Sequence, residues 1–189
     1  MENLQATKNN ITAVLESVIK DNSTLYRHHK IGEMNFTSAL FICNDITQVN
    51  DMLIKVFEES GMNVVTVTAD GYEIPREKAT VRLSDNHTIG PILYPGDEKT
   101  DELKKKNTVL FLPNLDKMSD LVYRRLLLEV AREHCVADPR NGENGYTELD
   151  SSFFAVATVG KMETPAFMEL TNMDAKGSLQ RCLIDSLQN

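Results

Sequence analysis

Thr108 to Met118 reads TVLFLPNLDKM, an apolar strand candidate that runs into a polar turn. Metal-assisted phosphoryl transfer uses this layout, because a carboxylate just beyond a buried strand holds Mg2+ directly or through water while a second polarises the attacking water. Pro113 and Asn114 stand in those two places. Proline offers no side-chain oxygen and an asparagine amide is a poor base, so the chemistry such a site needs is missing. Read for structure alone, the window is a buried strand closing in a Pro-Asn turn. Asp116 is the nearest remaining carboxylate, and a turn or cap role before the following helix suits it better than a metal-ligand role.

Other reactive residues do not form a set. His28-His29, His87 and His134-Cys135 lack metal-ligand spacing, and neighbours on one backbone such as His134 and Cys135 usually point apart, which argues against a catalytic pair. Cys43, Cys135 and Cys182 are odd in number and far apart, so neither a disulfide framework nor a zinc site is indicated. No G-x-S-x-G elbow or G-x-G-x-x-G fingerprint occurs.

The elements that must position these residues show in the hydrophobic periodicity. Ile11, Val14, Leu15, Val18 and Ile19 form one helical stripe that ends near Asp21-Asn22, within an N-terminal helix and lead-in over residues 1–30. Ala39 to Cys43 reads as a buried strand feeding through Asn44 to Thr47 into a helix whose inner face is Val49, Met52, Leu53, Val56 and Phe57. Gly61 suits that helix's C-terminal cap, and Asn63 to Thr68 is a second strand. Residues 69–106 are broken by glycine, proline and charge and read as loops with short strands. Thr108 to Leu112 is a third strand, followed by a helix from about Ser119 to Arg132 carrying Val122, Leu126 and Val130. Residues 133–150 suggest a hairpin, Phe153 to Thr158 a fourth buried strand, and the tail a helix with Leu179, Leu183, Ile184 and Leu187 inward. Strands alternating with helices predict a single α/β domain, a three-layer α/β/α arrangement around a mostly parallel sheet.

Composition is compatible with that. At 189 residues and 41% hydrophobic, the chain can bury one substantial core, while a net charge of -8 disfavours general affinity for nucleic acid or anionic membranes. Arg27 to Lys30 and Lys104 to Lys106 are the local exceptions, and each is more often a solvated face. A polar start after Met1 and the lack of a long apolar run predict an intracellular protein, cytoplasmic or nuclear, without a membrane span.

Taken in order, Gly90-Pro91-Ile92, Asn107 to Met118, LLLEVAREHCV from Leu126 to Val136, and FFAVATVG from Phe153 to Gly160 resemble the core of an AAA+ ATPase, nearest the MoxR-like and MCM-like group with its pre-sensor hairpin. The resemblance spans roughly Ala39 to Gly160 and implies a P-loop NTPase-like topology with Thr158 at the sensor 1 position. It also implies a phosphate loop between Cys43 and Met52, where there is neither glycine nor lysine. Such a loop works because glycines let successive N–H groups curl round phosphate while a lysine reaches the outer oxygens. Asn44-Asp45-Ile46-Thr47 is too short for this, and Asp45 would place a negative charge at the helix N-terminus, where it is better read as a cap. Lys55 lies too far along that helix to substitute. Arg181, in SLQRC, resembles the arginine segment that reaches a neighbouring subunit in AAA+ rings, although a surface helix position suits it better. The small helical lid of ring-forming members finds no room before Asn189.

The expectation is therefore an AAA+-like pseudo-ATPase without cofactor, serving as a protein-interaction or scaffold subunit of a larger assembly, with active ATPases as one kind of neighbour there. Two rivals stand next to it. One is an enzyme or ligand-binding protein using the crevice beyond the strand ends, where Asn44, Asp45, Asp70, Asn114 and Thr158 would gather. The other is a nucleic-acid accessory domain, which the acidic hairpin residues Glu133, Asp138, Glu143 and Glu148 disfavour.

Overall fold

A computed structural model of the chain describes residues 2–27, 36–67, 81–84, 87–89, 98–117, 130–131, 133–137, 146–160 and 179–184. In chain order the elements are α1 (Glu2–Tyr26), β1 (Ser38–Cys43), α2 (Ile46–Glu59), β2 (Asn63–Thr66), β3 (Val81–Ser84), β4 (His87–Ile89), α3 (Glu98–Leu103), β5 (Thr108–Leu112), β6 (Cys135–Ala137), β7 (Tyr146–Glu148), β8 (Phe154–Gly160) and β9 (Leu179–Ile184). Five strands form one sheet in the order β2-β5-β8-β1-β9, and every neighbouring pair in it is parallel. The predicted α/β class holds.

Alternation along the strands explains why this sheet lies inside. Ala39, Phe41 and Cys43 of β1, with Val109, Phe111, Phe154 and Val156, face α1 and α2, meeting Ile11, Leu15 and Val18 of the first helix and Val49, Leu53 and Phe57 of the second. Leu40, Leu110, Leu112, Ala155, Ala157 and Val159 point the other way, toward Leu103, Val130, Ala131 and Val136. Both faces are thus covered, as parallel strands require. All five residues expected on the inner face of α2 are buried, and Phe57 meets Phe111 edge-on with ring centroids 5.6 Å apart.

Gly61 ends α2 as expected. Its φ of 64° is left-handed, its N–H donates to Glu58 O, and Met62 N–H donates to Phe57 O, the paired bonds of a Schellman cap.

Several expectations need correction. α1 does not stop at Asp21-Asn22 but continues to Tyr26, because Asn22 turns inward and makes two hydrogen bonds with Thr37. Asn22 Nδ2 donates to Thr37 O at 2.8 Å and Thr37 N–H donates to Asn22 Oδ1 at 2.7 Å, so the amide mimics a strand partner just before β1. The second strand is shorter than Asn63 to Thr68, ending at Thr66, with Val67 N–H still donating to Phe111 O.

The 69–106 segment, expected to be loops with short strands, contains the antiparallel pair β3–β4 but also the helix α3. A charged run forms a helix there because Lys104 pairs with Asp101 and Lys105 with Glu102, one turn apart, while Leu103 is fully buried. Asn63 Nδ2 donates to Glu102 O and Thr108 Oγ1 to Lys105 O at 2.7 Å, which pins the end of α3 to the sheet.

Of the helix expected from Ser119 to Arg132, only the end near Val130 is described; Ser119, Val122 and Leu126 lie outside the described residues. The expected 133–150 hairpin is present as β6 paired antiparallel with β7. Its tip at 138–145 lies outside the described residues.

The largest correction concerns the tail. Leu179 to Ile184 is the strand β9, parallel to β1 throughout its length, and not part of a helix; Leu187 lies outside the described residues. A short apolar run satisfies helix and strand periods alike, and the open edge of β1 decides for strand.

Candidate functional site

In open parallel sheets, ligands bind beyond the carboxyl ends of the strands, where chain crossings diverge. Here β1 hands over to α2 through only Asn44 and Asp45. Asp45 leaves the strand with φ -104° and ψ 84°, and its Oδ1 accepts from Gln48 N–H at 3.0 Å while its carbonyl accepts from Val49 N–H. The helix N-terminus is therefore met by the chain's own carboxylate, as the cap reading expected. Asn44 and Thr47 are both exposed beside it.

The end of β5 is built differently. Leu112 makes its last register pairing with Ala157, and Pro113 follows where no further ladder bond is needed. Asn114 then takes a left-handed φ of 54°, which asparagine tolerates better than most residues, and its carbonyl accepts from Lys117 N–H. The fully buried Leu115 anchors the ensuing 3-10 turn, Leu115 to Lys117. The backbone of Asp116 belongs to that turn, as its turn reading expected.

Thr158 joins the two halves. It is fully buried, two residue pairs before the end of the β1–β8 register, and shares the strand face of Phe154 and Val156. Its Oγ1 accepts from Asn114 N–H at 3.1 Å and donates to Asn50 Oδ1 at 2.7 Å. A single hydroxyl thus links the β5 turn, β8 and the second turn of α2. Among the described residues, the buried Asn114 Oδ1 has no hydrogen-bond partner.

The structure therefore brings Asn114 and Thr158 together and sets Asn44, Asp45 and Thr47 at the neighbouring junction. Asp70 lies outside the described residues. Arg181 is not a helix residue: it lies within β9 in register with Leu40, three residues before the pair Cys43–Ile184 that marks the carboxyl edge. Asn50 is the participant that sequence reasoning missed. Its only signal is a polar residue beside the apolar stripe of α2, just after the capped turn.

The described side chains of this constellation are amides and hydroxyls with one carboxylate already used as a cap, a set suited to binding by hydrogen bonding. Among the described residues no group of three His, Cys, Asp or Glu could hold a metal ion. Groups with shifted titration lie at the opposite, amino end of the sheet. Hydrogen bonds from Ser152 hold the Asp150 carboxyl below its usual range, aided by Lys106 against a burial effect of opposite sign. Burial pushes the Tyr26 hydroxyl up, reinforced by Glu148 and Asp150. His134 is also at that end, 2% exposed, with its ring stacked on Phe36 and edge-on to Phe153.

Among the described residues no helix is long and apolar enough to cross a membrane. No protein-family model matches the chain, and comparison with curated proteins finds no match.

Proposed function

We propose that this chain is an AAA+-like pseudo-ATPase domain that works by binding other proteins, as a scaffold subunit of a larger assembly. The observation that carries the reading is the Asn114–Thr158–Asn50 chain of hydrogen bonds beside a helix capped by Asp45. In a nucleotide-hydrolysing site of this layout, the helix N-terminus receives phosphate and the end of the third parallel strand receives metal. Here the first is met by an aspartate and the second is an asparagine whose backbone N–H is tied to Thr158. A two-residue junction at Asn44-Asp45 also leaves little backbone with which to wrap a triphosphate. The all-parallel sheet and the β6–β7 hairpin before β8 are compatible with the resemblance, whose P-loop NTPase-like topology remains part of this proposal.

Titration calorimetry with ATP and Mg2+ tests the loss of nucleotide chemistry. No binding heat is expected at micromolar concentrations; tight, Mg2+-dependent binding that Asp116→Ala abolishes would sink the reading. For the scaffold role, a pull-down from the native source analysed by mass spectrometry is expected to return a stoichiometric protein partner. Recovery of nucleic acid with salt-dependent affinity would instead favour an accessory role on that polymer.

One observation favours a second reading, a binding protein for a small neutral ligand. Asn114 Oδ1 is a buried acceptor without a donor among the described residues, which is costly unless something supplies one. A metabolite panel screened by thermal shift tests it, with a stabilising compound lost in Asn114→Ala as the supporting result and no stabiliser as the opposing one.

A further inference from the structure

We propose that His134 is a proton-operated latch: protonating its imidazole expels the ring from between Phe36 and Phe153 and releases the β6–β7 hairpin from the amino end of the sheet. Its placement makes this side chain a joint between four elements. Phe36, fully buried just before β1, stacks on the imidazole at 3.8 Å and 7°, while Phe153, just before β8, meets it edge-on at 4.8 Å and 90°. Tyr26 of α1 extends the group, its ring 6.2 Å from that of Phe36.

The backbone of the same residue holds the hairpin. His134 N–H donates to Val130 O and so closes the preceding helix, and His134 O accepts from Leu149 N–H at 2.8 Å, immediately before the Cys135–Glu148 pair. Its φ of 49° is left-handed, a conformation usually left to glycine at a helix end, so the position depends on its side chain being held. Once the ring leaves, the strained backbone has less reason to keep that conformation. Both hydrogen bonds then loosen together.

A charged imidazole suits the site poorly. The stacked face of Phe36 offers cation–π attraction, but the desolvation of an ion at 2% exposure outweighs it. Titratable groups that the described elements carry around this region are Tyr26 on α1, Glu133 and Cys135 on either side of His134 in the chain, Glu148 on β7 and Asp150 before β8, with Lys106 acting on Asp150. Glu148 is exposed and Glu133 and Asp150 are half-buried, so water screens the carboxylates and they draw an expelled, protonated ring outward more than they hold a buried one.

Amide hydrogen exchange on the intact chain, corrected for intrinsic rates, reads the latch. With a free imidazole titrating near about pH 6.5, the protection of β6 and β7 amides is expected to fall about tenfold from pH 7.5 to 5.5, with β5 and β8 amides unaffected. His134→Phe, which keeps an aromatic ring but cannot take a proton, is expected to lose that dependence. Protection that is the same at both pH values, or an equal loss in His134→Phe, overturns the proposal. Should that variant fold poorly, imidazole NMR of the unaltered chain decides: the His134 ring is expected to stay neutral while the hairpin remains protected, and a protonated ring within a protected hairpin overturns the proposal.

Discussion

Thr158 shows how much one hydroxyl can organise when it lies at a crossing point of the fold. Thr158→Val keeps the shape but removes both hydrogen bonds, leaving Asn114 N–H and Asn50 Oδ1 without their partner. About 1–3 kcal/mol of stability should be lost, measurable by urea unfolding. Asp45→Ala removes the cap on Gln48 N–H and should cost about 1 kcal/mol by the same measurement, while Asp45→Asn, which retains an acceptor, should cost much less. At Asp150 the sign follows from its lowered titration. A carboxyl held below its usual 3.8 contributes stability above that value and loses it as the pH falls through the folded-state titration. The group is half-buried and water screens it, so the effect is small, and Asp150→Asn should flatten the acid limb of a stability-versus-pH curve without moving the neutral plateau. The Asp45 cap was legible from the sequence because a polar side chain between an apolar strand and an apolar helix has few other uses. The role of Asn50 was not, since it depends on β8 arriving beside α2 from about a hundred residues away.

Among the elements, α2 was the most readable. Its five buried positions repeat at helical spacing, and Gly61 closes it in a conformation that side chains seldom adopt. A Cβ at Gly61 would meet nothing within 4 Å, so Gly61→Ala should cost about 1 kcal/mol from backbone strain alone, with no packing penalty. A measured loss well above that, in the same unfolding experiment, would point to a clash that the geometry does not contain. By contrast α3 and β9 were hidden for opposite reasons. The charges of α3 conceal the buried Leu103 that gives it a place on the sheet, whereas Leu179, Leu183 and Ile184 fit either period and carry no local preference that separates helix from strand. Asn22 misled in a third way, since a residue that often ends helices instead serves β1 with its side chain.

At the scale of the whole molecule, the sheet joins parts of the chain that synthesis separates. β1 sits between β8 and β9, so neither of its neighbours follows it closely in sequence. Removing residues 179–189 should bare one edge of β1 and abolish cooperative thermal unfolding, which circular dichroism would reveal as a broad transition accompanied by aggregation. Retention of a sharp transition would mean that β9 adds little to the core. The pairing of Ala39 with Gln180 carries a further consequence for the ribosome. About 140 residues of translation separate these partners, and throughout that interval the apolar segment Ser38–Cys43 is a nascent strand lacking a mate on one side. Completion of this sheet thus trails the synthesis of β1 by a long stretch of chain, and a holdase chaperone would find its target in SALFIC well before β9 emerges.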